Sequence, residues 1–333
     1  MSDLVTVAEI EEAAARVRGV AVRTPLAPVL HVEDRSAEED TPPARSSPPL
    51  LVKPESLQPT GAFKLRGAYN AITVSRDAGQ DRGVVTHSSG NHAQAVAYAA
   101  RALGLPAVLV MPNNAPGVKA DACRRLGAEI VFVEPTMEAR IGTAERLAEA
   151  HGFELIPPYD DARVIAGQGT IGLEILADAP EVDVVLVPVG GGGLISGIAT
   201  AVKSLRPAAK VIGVEPELAA DARDSLRAGI PMAWTAAQTA RTAADALRAQ
   251  QVGDLTFAHI SEYVDDVVTV SEEEIRRAMG WLARHARLVA EPAGAVATAA
   301  FLFRRGLLPA GSSYVAVLSG GNVDPGLFKN VIA

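Results

Sequence analysis

At 333 residues, 48% of them hydrophobic, the chain is long enough to bury one large core or two intimate ones. A formal charge of -8 argues against a non-specific nucleic-acid or anionic-membrane surface, and no apolar run approaches the roughly 20 residues of a membrane helix. The single cysteine, Cys123, excludes an internal disulfide and fits a reducing compartment; with no basic start or apolar h-region after Met1, a soluble cytoplasmic protein is expected.

In chain order, Thr6 to Arg18 has helical periodicity, with Thr6 and Glu9 in capping-box spacing. Residues 33–49 are polar, Pro-rich and aperiodic, which predicts an exposed loop. Leu50, Leu51 and Val52 predict a strand that Pro54 ends, and Pro59-Thr60-Gly61 a tight turn. A helix is then expected from about Ala62, capped by Thr60 or Gly61, with Lys64 in its first turn.

From Gly83 the pattern repeats strand, loop, helix: strands at Val84–Thr86, Ala107–Met111 and Glu129–Val133, helices at Ala93–Leu103, Pro116–Leu126 and Thr136–Gly152. A second set follows, with strands at Asp183–Val189, Lys210–Glu215, Val267–Val270 and Tyr314–Leu318, and helices from Leu194 and Ser271. Continuous apolar strands alternating with amphipathic helices predict an α/β protein whose parallel strands are covered on both faces. Residues 83–157 read as one compact unit.

Lysine in the first turn of a helix is badly placed for stability, because the N-terminal end of the dipole is already positive. Lys64 therefore calls for another reason. An electropositive, partly desolvated setting favours the neutral amine, the form that condenses with an aldehyde. The run Pro59-Thr-Gly-Ala-Phe-Lys64-Leu-Arg-Gly-Ala68 resembles the Schiff-base segment of the pyridoxal-phosphate (PLP) enzymes of fold type II, the tryptophan synthase β-subunit fold. Within that group it is most similar to the serine/threonine dehydratases and serine racemases. The resemblance implies two open, mainly parallel α/β domains with the PLP cleft between them. They would be residues 1–76 with 160–333 for the cofactor and 83–157 for the substrate, with 33–49 as a loop insertion. It also implies that Lys64 bonds the cofactor aldehyde and that Phe63 packs beside its ring. Ala62 stands where many relatives have Ser.

Three further segments match in the family's order. Gly190-Gly191-Gly192-Gly193-Leu194 lies between a strand and a helix, where backbone N–H groups and the helix dipole suit a phosphate. Alone it could equally serve a nucleotide or a plain turn; by resemblance it cups the PLP phosphate. Ser88-Ser89-Gly90-Asn91-His92 offers hydroxyls, an amide and a helix N-terminus to a substrate carboxylate. By resemblance these residues grip the α-carboxylate, Asn91 also reaches the ring hydroxyl, and Ser89 stands opposite the lysine, where it exchanges a proton with Cα. Ser319 matches the residue that hydrogen-bonds the pyridine nitrogen. A neutral hydroxyl there weakens the electron sink and favours β-elimination over transamination.

Glu215, Ala219 and Asp221 read alone as a solvated acidic loop. In the related enzymes an acid, a carbonyl four later and an Asp six later hold Mg²⁺ or Ca²⁺, and that spacing is reproduced. Ala246 replaces the Gly of an Ala-Asp-Gly turn, which narrows the space beside the cofactor or changes φ. Glu291 is expected close to the site, and no regulatory domain is expected after Ala333. The resemblance implies dehydration of L-threonine or L-serine to a 2-oxo acid and ammonia by a homodimer acting on a small amino acid. A serine or aspartate racemase, a bifunctional enzyme and a 3-hydroxyaspartate dehydratase stay open, as do a PLP-carrying sensor and a nucleotide-binding module.

Overall fold

Caps and apolar runs set the elements of the computed structural model, which describes residues 4–29, 49–88, 90–115 and 117–333. Helix α1 (Val7–Val17) starts at Thr6, whose hydroxyl accepts from the Glu9 N–H while the Glu9 carboxylate accepts from the Thr6 N–H. Strands β1 (Ala27–Pro28) and β2 (Leu50–Pro54) precede α2 (Lys64–Asp77). Then come β3 (Val84–His87), α3 (Asn91–Leu103), β4 (Ala107–Pro112), α4 (Gly117–Arg125), β5 (Glu129–Val133), α5 (Met137–His151) and β6 (Glu154–Leu155). The long helix α6 (Ala162–Asp178) leads to β7 (Val184–Pro188), α7 (Gly193–Leu205), β8 (Lys210–Pro216), α8 (Asp221–Ala228), α9 (Ala236–Thr239) and α10 (Asp254–Tyr263). Strand β9 (Asp266–Val270), α11 (Glu272–Trp281), α12 (Pro292–Phe303), β10 (Tyr314–Leu318) and α13 (Pro325–Ile332) complete the order.

The strands form two sheets. One has six strands in the order β1-β2-β10-β7-β8-β9, parallel except where β1 meets β2; the other has four parallel strands, β5-β4-β3-β6. Every residue of β7 and β10 is buried, as a sheet covered on both faces requires. The pleat sorts them: Val184, Leu186, Tyr314 and Ala316 enter a core with α12, while Val185, Val187, Val315 and Val317 enter one with α7. A third core joins α2, α3 and the four-stranded sheet and includes Cys123, fully buried on α4, whose thiol burial pushes up to about 11.

Helix α6 packs between α2 and α7 at backbone contact. A Cβ on Gly167 would stand 2.6 Å from the Arg66 carbonyl oxygen of α2, and one on Gly197 of α7 would stand 2.3 Å from the Ile165 carbonyl oxygen of α6. The helix carrying Lys64 and the helix beginning at the glycine run are thus spaced by a shared neighbour. The loop expected at 33–49 lies, except for residue 49, outside the described residues. Among the described residues no helix is long and apolar enough to cross a membrane.

Candidate active site

Lys64 is the first residue of α2, and the cap before it differs from expectation. Neither Thr60 nor Gly61 caps the helix: the Thr60 hydroxyl turns to the Ala62 carbonyl, and the N-cap is Phe63, without a side-chain bond. The order comes from across the fold. The Phe63 N–H donates to the Ser319 carbonyl (3.0 Å), and the Gly321 N–H donates to the Gly61 carbonyl (2.9 Å), zipping the lysine turn onto the end of β10. The half-buried Lys64 donates from Nζ to the Pro158 carbonyl (2.5 Å), with Nζ 5.0 Å from the Phe63 ring centre. Desolvation lowers its amine pKa to about 8. Among the described residues no carboxylate pairs with it, so nothing opposes that shift.

The loop after β3 approaches the same place. Ser88 accepts on its hydroxyl from the Gly90 N–H (3.3 Å), and Gly90 is the N-cap of α3, whose first residue is Asn91. Ser89 lies outside the described residues. The Asn91 amide donates to the Glu291 carboxylate (2.7 Å) and accepts from the Asn322 amide (2.8 Å), which also donates to the Thr60 carbonyl (2.8 Å). This polar chain ties the loop of the smaller sheet to the lysine turn and to Glu291, the N-cap of α12, which is 5% exposed. His92 is turned into the protein, its Nε2 against the Ile156 carbonyl (3.0 Å) and its Nδ1 without a partner. Desolvation, then the nearby Lys64 charge, lowers its pKa to about 3. A neutral, inward imidazole is no anion ligand; what His92 offers at the helix start is its backbone N–H.

The glycine run sits where only glycine fits. A Cβ on Gly191 would stand 2.3 Å from the Tyr159 ring, and Gly192 has φ +94°, in the left-handed region. The Thr256 hydroxyl holds the loop by donating to the Gly191 carbonyl (2.8 Å). Gly192 is the N-cap of α7 with no side-chain bond, so the N–H groups of Gly193, Leu194 and the next residue are left to an external acceptor. Gly190 backs onto the Ala246–Leu247 turn, and Ala246 has no positive φ, so its methyl forces no unusual backbone there. Ser319, 4% exposed at the end of β10, donates to the Ala293 carbonyl (3.4 Å). Phe63 thus links Lys64 to Ser319, Asn91 joins them through Asn322 and Glu291, and the Pro158–Tyr159 segment lies against both Lys64 and the glycine run.

Glu215 and Asp221 form a separate, fully buried acidic pair. Glu215 accepts from the Ala222 and Arg223 N–H groups (both 2.9 Å), while neither Asp221 oxygen has a hydrogen bond of normal geometry. Desolvation, then the Asp221 charge, pushes Glu215 well up; desolvation raises Asp221 to about 7, opposed in part by the backbone at Asp221 and Val252. Ala219 is buried beside them. Among the described residues no group of three or more His, Cys, Asp or Glu side chains gathers as a metal cluster, so any cation there takes carbonyls or water as well.

Sequence reading missed Asn322 as a link, Tyr159 as the wall of the glycine loop and Pro158 as the lysine's acceptor. Asn322 was visible as the end of the Ser319-Gly-Gly-Asn run; Tyr159 and Pro158 carry no local signal.

The chain is 42% identical over 329 residues to L-threonine ammonia-lyase of Thermotoga maritima, covering 99% of this chain and 78% of the relative. It is 39% identical over 328 residues to L-threo-3-hydroxyaspartate ammonia-lyase of Saccharomyces cerevisiae, covering 98% and 96%. The solved structure of maize serine racemase superposes with a TM-score of 0.89 at 37% identity, covering 98% of this chain and 97% of that one. The model of the family described as pyridoxal-phosphate dependent enzyme matches residues 23–320, and the chain belongs to that family.

Proposed function

We propose that the protein removes water from L-threonine or L-serine, yielding a 2-oxo acid and ammonia. The observation that carries this is Lys64: a desolvated amine of pKa about 8, without a carboxylate partner among the described residues, in a turn bonded to the end of β10 at Ser319. The cofactor is pyridoxal phosphate. The residues fit it: a cradle at Gly190–Leu194 that a single Cβ would fill, an amine free to bond an aldehyde, and a neutral hydroxyl rather than a carboxylate at Ser319.

When bound, the cofactor supplies an electron sink that acidifies the substrate Cα–H. Lys64, roughly a tenth neutral at pH 7 for a pKa near 8, takes that proton on Nζ. Backbone N–H groups of Gly90, Asn91 and His92, with the Ser88 and Ser89 hydroxyls, hold the α-carboxylate and so aim Cα–H at Lys64. Asn91, itself held by Glu291 and Asn322, would hold the ring hydroxyl, Ser319 would meet the ring nitrogen with a neutral hydroxyl, and Phe63 would pack against the ring. The β-hydroxyl leaves as water, its added proton balanced by the one that Lys64 took from Cα, and the enamine released takes up water to give the 2-oxo acid and ammonia. Residues 1–76 with 160–333 carry the cofactor and 83–157 the substrate loop in this reading, within a cytoplasmic homodimer.

Racemisation is the second reading, favoured by Ser89 in the sequence and by the likeness to maize serine racemase. A panel of D- and L-serine, threonine and 3-hydroxyaspartate, assayed for both keto acid and inverted substrate, separates the two. Keto acid from L-threonine is expected; inversion of serine without pyruvate overturns dehydration.

Glu215, Asp221 and the Ala219 carbonyl are proposed to hold Mg²⁺ or Ca²⁺, which the Asp221 oxygens, buried without a hydrogen bond of normal geometry among the described residues, fit. Asp221 titrates near 7 when folded and near 4 when unfolded, so without a cation it costs stability as pH rises from about 4 through 7. Tm of cation-free protein is expected to fall over that range. Millimolar Ca²⁺ or Mg²⁺ is expected to raise it strongly at pH 8 and little at pH 5. A Tm that ignores both cations at pH 8 rules the site out.

A further inference from the structure

Two residues beyond Lys64, Arg66 is fully buried at the centre of a closed charge cluster. Its Nε and Nη2 donate to Glu55 (2.8 and 2.9 Å), and its Nη1 and Nη2 donate to Glu174 of α6 (2.7 and 2.9 Å). Its second Nη1 proton goes to the Thr170 hydroxyl of α6 (3.1 Å), and Nη2 shares its two protons between the carboxylates and the Val22 carbonyl (3.0 Å). Lys53 of β2, also fully buried, donates to Glu174 (2.6 Å) and to the Thr24 carbonyl (2.5 Å). Thr24 and Gln58 complete the Glu55 carboxylate at 2.7 and 2.9 Å. Two cations face two carboxylates.

Such a cluster is a poor device for stability, since well-packed apolar residues of the same volume do as well or better. Its value is directional: a guanidinium fork accepts a carboxylate in one geometry. The parts it joins are those that place the site. Lys53 pairs in register with Val317 of β10, two residues before Ser319; Glu174 and Thr170 belong to α6, which packs on α7 beneath the glycine loop; Arg66 shares the first turn of α2 with Lys64.

Resting on the reading of Lys64 as the cofactor-bonding base, we propose that Arg66 is a positioning residue. Its fork with Glu55 and Glu174, closed by Lys53, sets where the Lys64 amine stands relative to Ser319 and the glycine loop. Burial alone would lower the guanidinium pKa, but Glu55 and Glu174 raise it, so the fork stays charged at every working pH. Arg66 is fully buried with its guanidinium engaged within the cluster, and so acts through Lys64.

The test compares Arg66→Lys, Glu174→Gln and Lys53→Met with the parent protein, each loaded with pyridoxal phosphate. Sites carrying cofactor at Lys64 are counted by borohydride trapping. kcat per trapped site, KM and the pH profile of kcat/KM are measured well below each Tm, with whichever amino acid the parent consumes. kcat per trapped site is expected to fall about 100-fold in Arg66→Lys and about 10-fold in Glu174→Gln, with KM within about threefold, the scale of misplacing a reacting group by an ångström. Lys53→Met, which removes the closing cation but keeps Arg66 and both carboxylates, is expected to lose least. Unchanged kcat per trapped site and an unchanged pH profile, with only Tm lowered, overturn the proposal. If Arg66→Lys does not fold, Glu174→Gln against Lys53→Met decides by the same criterion. A parent protein with no adduct at Lys64 instead overturns the reading beneath.

Discussion

Lys64→Ala is expected to lower kcat/KM by roughly 10⁴ or more, since one substitution removes both the covalent tether and the base. Lys64→Arg is expected to be equally inactive, because a guanidinium of pKa above about 12 has no neutral form at working pH. Neither loss comes from unfolding. Among the described residues the amine makes a single hydrogen bond, to the Pro158 carbonyl, and a cation at a helix start opposes the dipole, so Tm of Lys64→Ala should match or slightly exceed the parent's. Peptide mapping after borohydride reduction checks the assignment: the adduct belongs on residue 64 of the parent and nowhere in the variants. A Lys64→Ala protein that still turns over substrate and still traps cofactor ends this account of the site.

Gly197→Ala should be the most damaging conservative change away from the chemistry. The added methyl would stand 2.3 Å from the Ile165 carbonyl oxygen and 2.5 Å from the Gly169 nitrogen, backbone atoms of α6 that move only if the helix moves. Overpacking of this kind costs about 1–3 kcal/mol and more where backbone must shift. Displacing α7 from α6 also carries the glycine loop away from α2. Both the urea midpoint and cofactor affinity should therefore drop. Gly142→Ala is the control: it lies within α5, and the closest atom to its added methyl is the end of the Arg146 side chain, at 3.5 Å. There the same chemical change should stabilise by up to about 1 kcal/mol, because alanine is the better helix former. Equal effects at the two positions would show that backbone contact does not govern the α6–α7 spacing.

The longer strands were readable because buried parallel strands are continuous apolar runs, and Val184–Pro188 and Tyr314–Leu318 need no partner to be recognised, whereas the two-residue β1 and β6 were not assigned. Helix α1 was readable from the reciprocal cap of Thr6 with Glu9, and α11 from Ser271 followed by three glutamates in its first turn. Helix α6 was not assigned. It is buried along most of its first three turns and carries Gly167, Gly169 and Gly172, so it lacks the polar face and the strong helix formers that mark a surface helix. The start of α2 was misjudged for a related reason: its order comes from the Ser319 carbonyl, more than 250 positions away, and not from a local cap. Glu215 and Asp221 were legible as a pair because they flank one short loop. Arg66 with Glu55, Glu174 and Lys53 was not, since four elements meet there.

Cys123 carries a last consequence. A thiol with no exposed surface and a pKa near 11 holds almost no thiolate, so alkylating reagents meet it only when α4 lifts away from α3. As the chain's sole cysteine, it is a native timer of that excursion, readable without adding a probe.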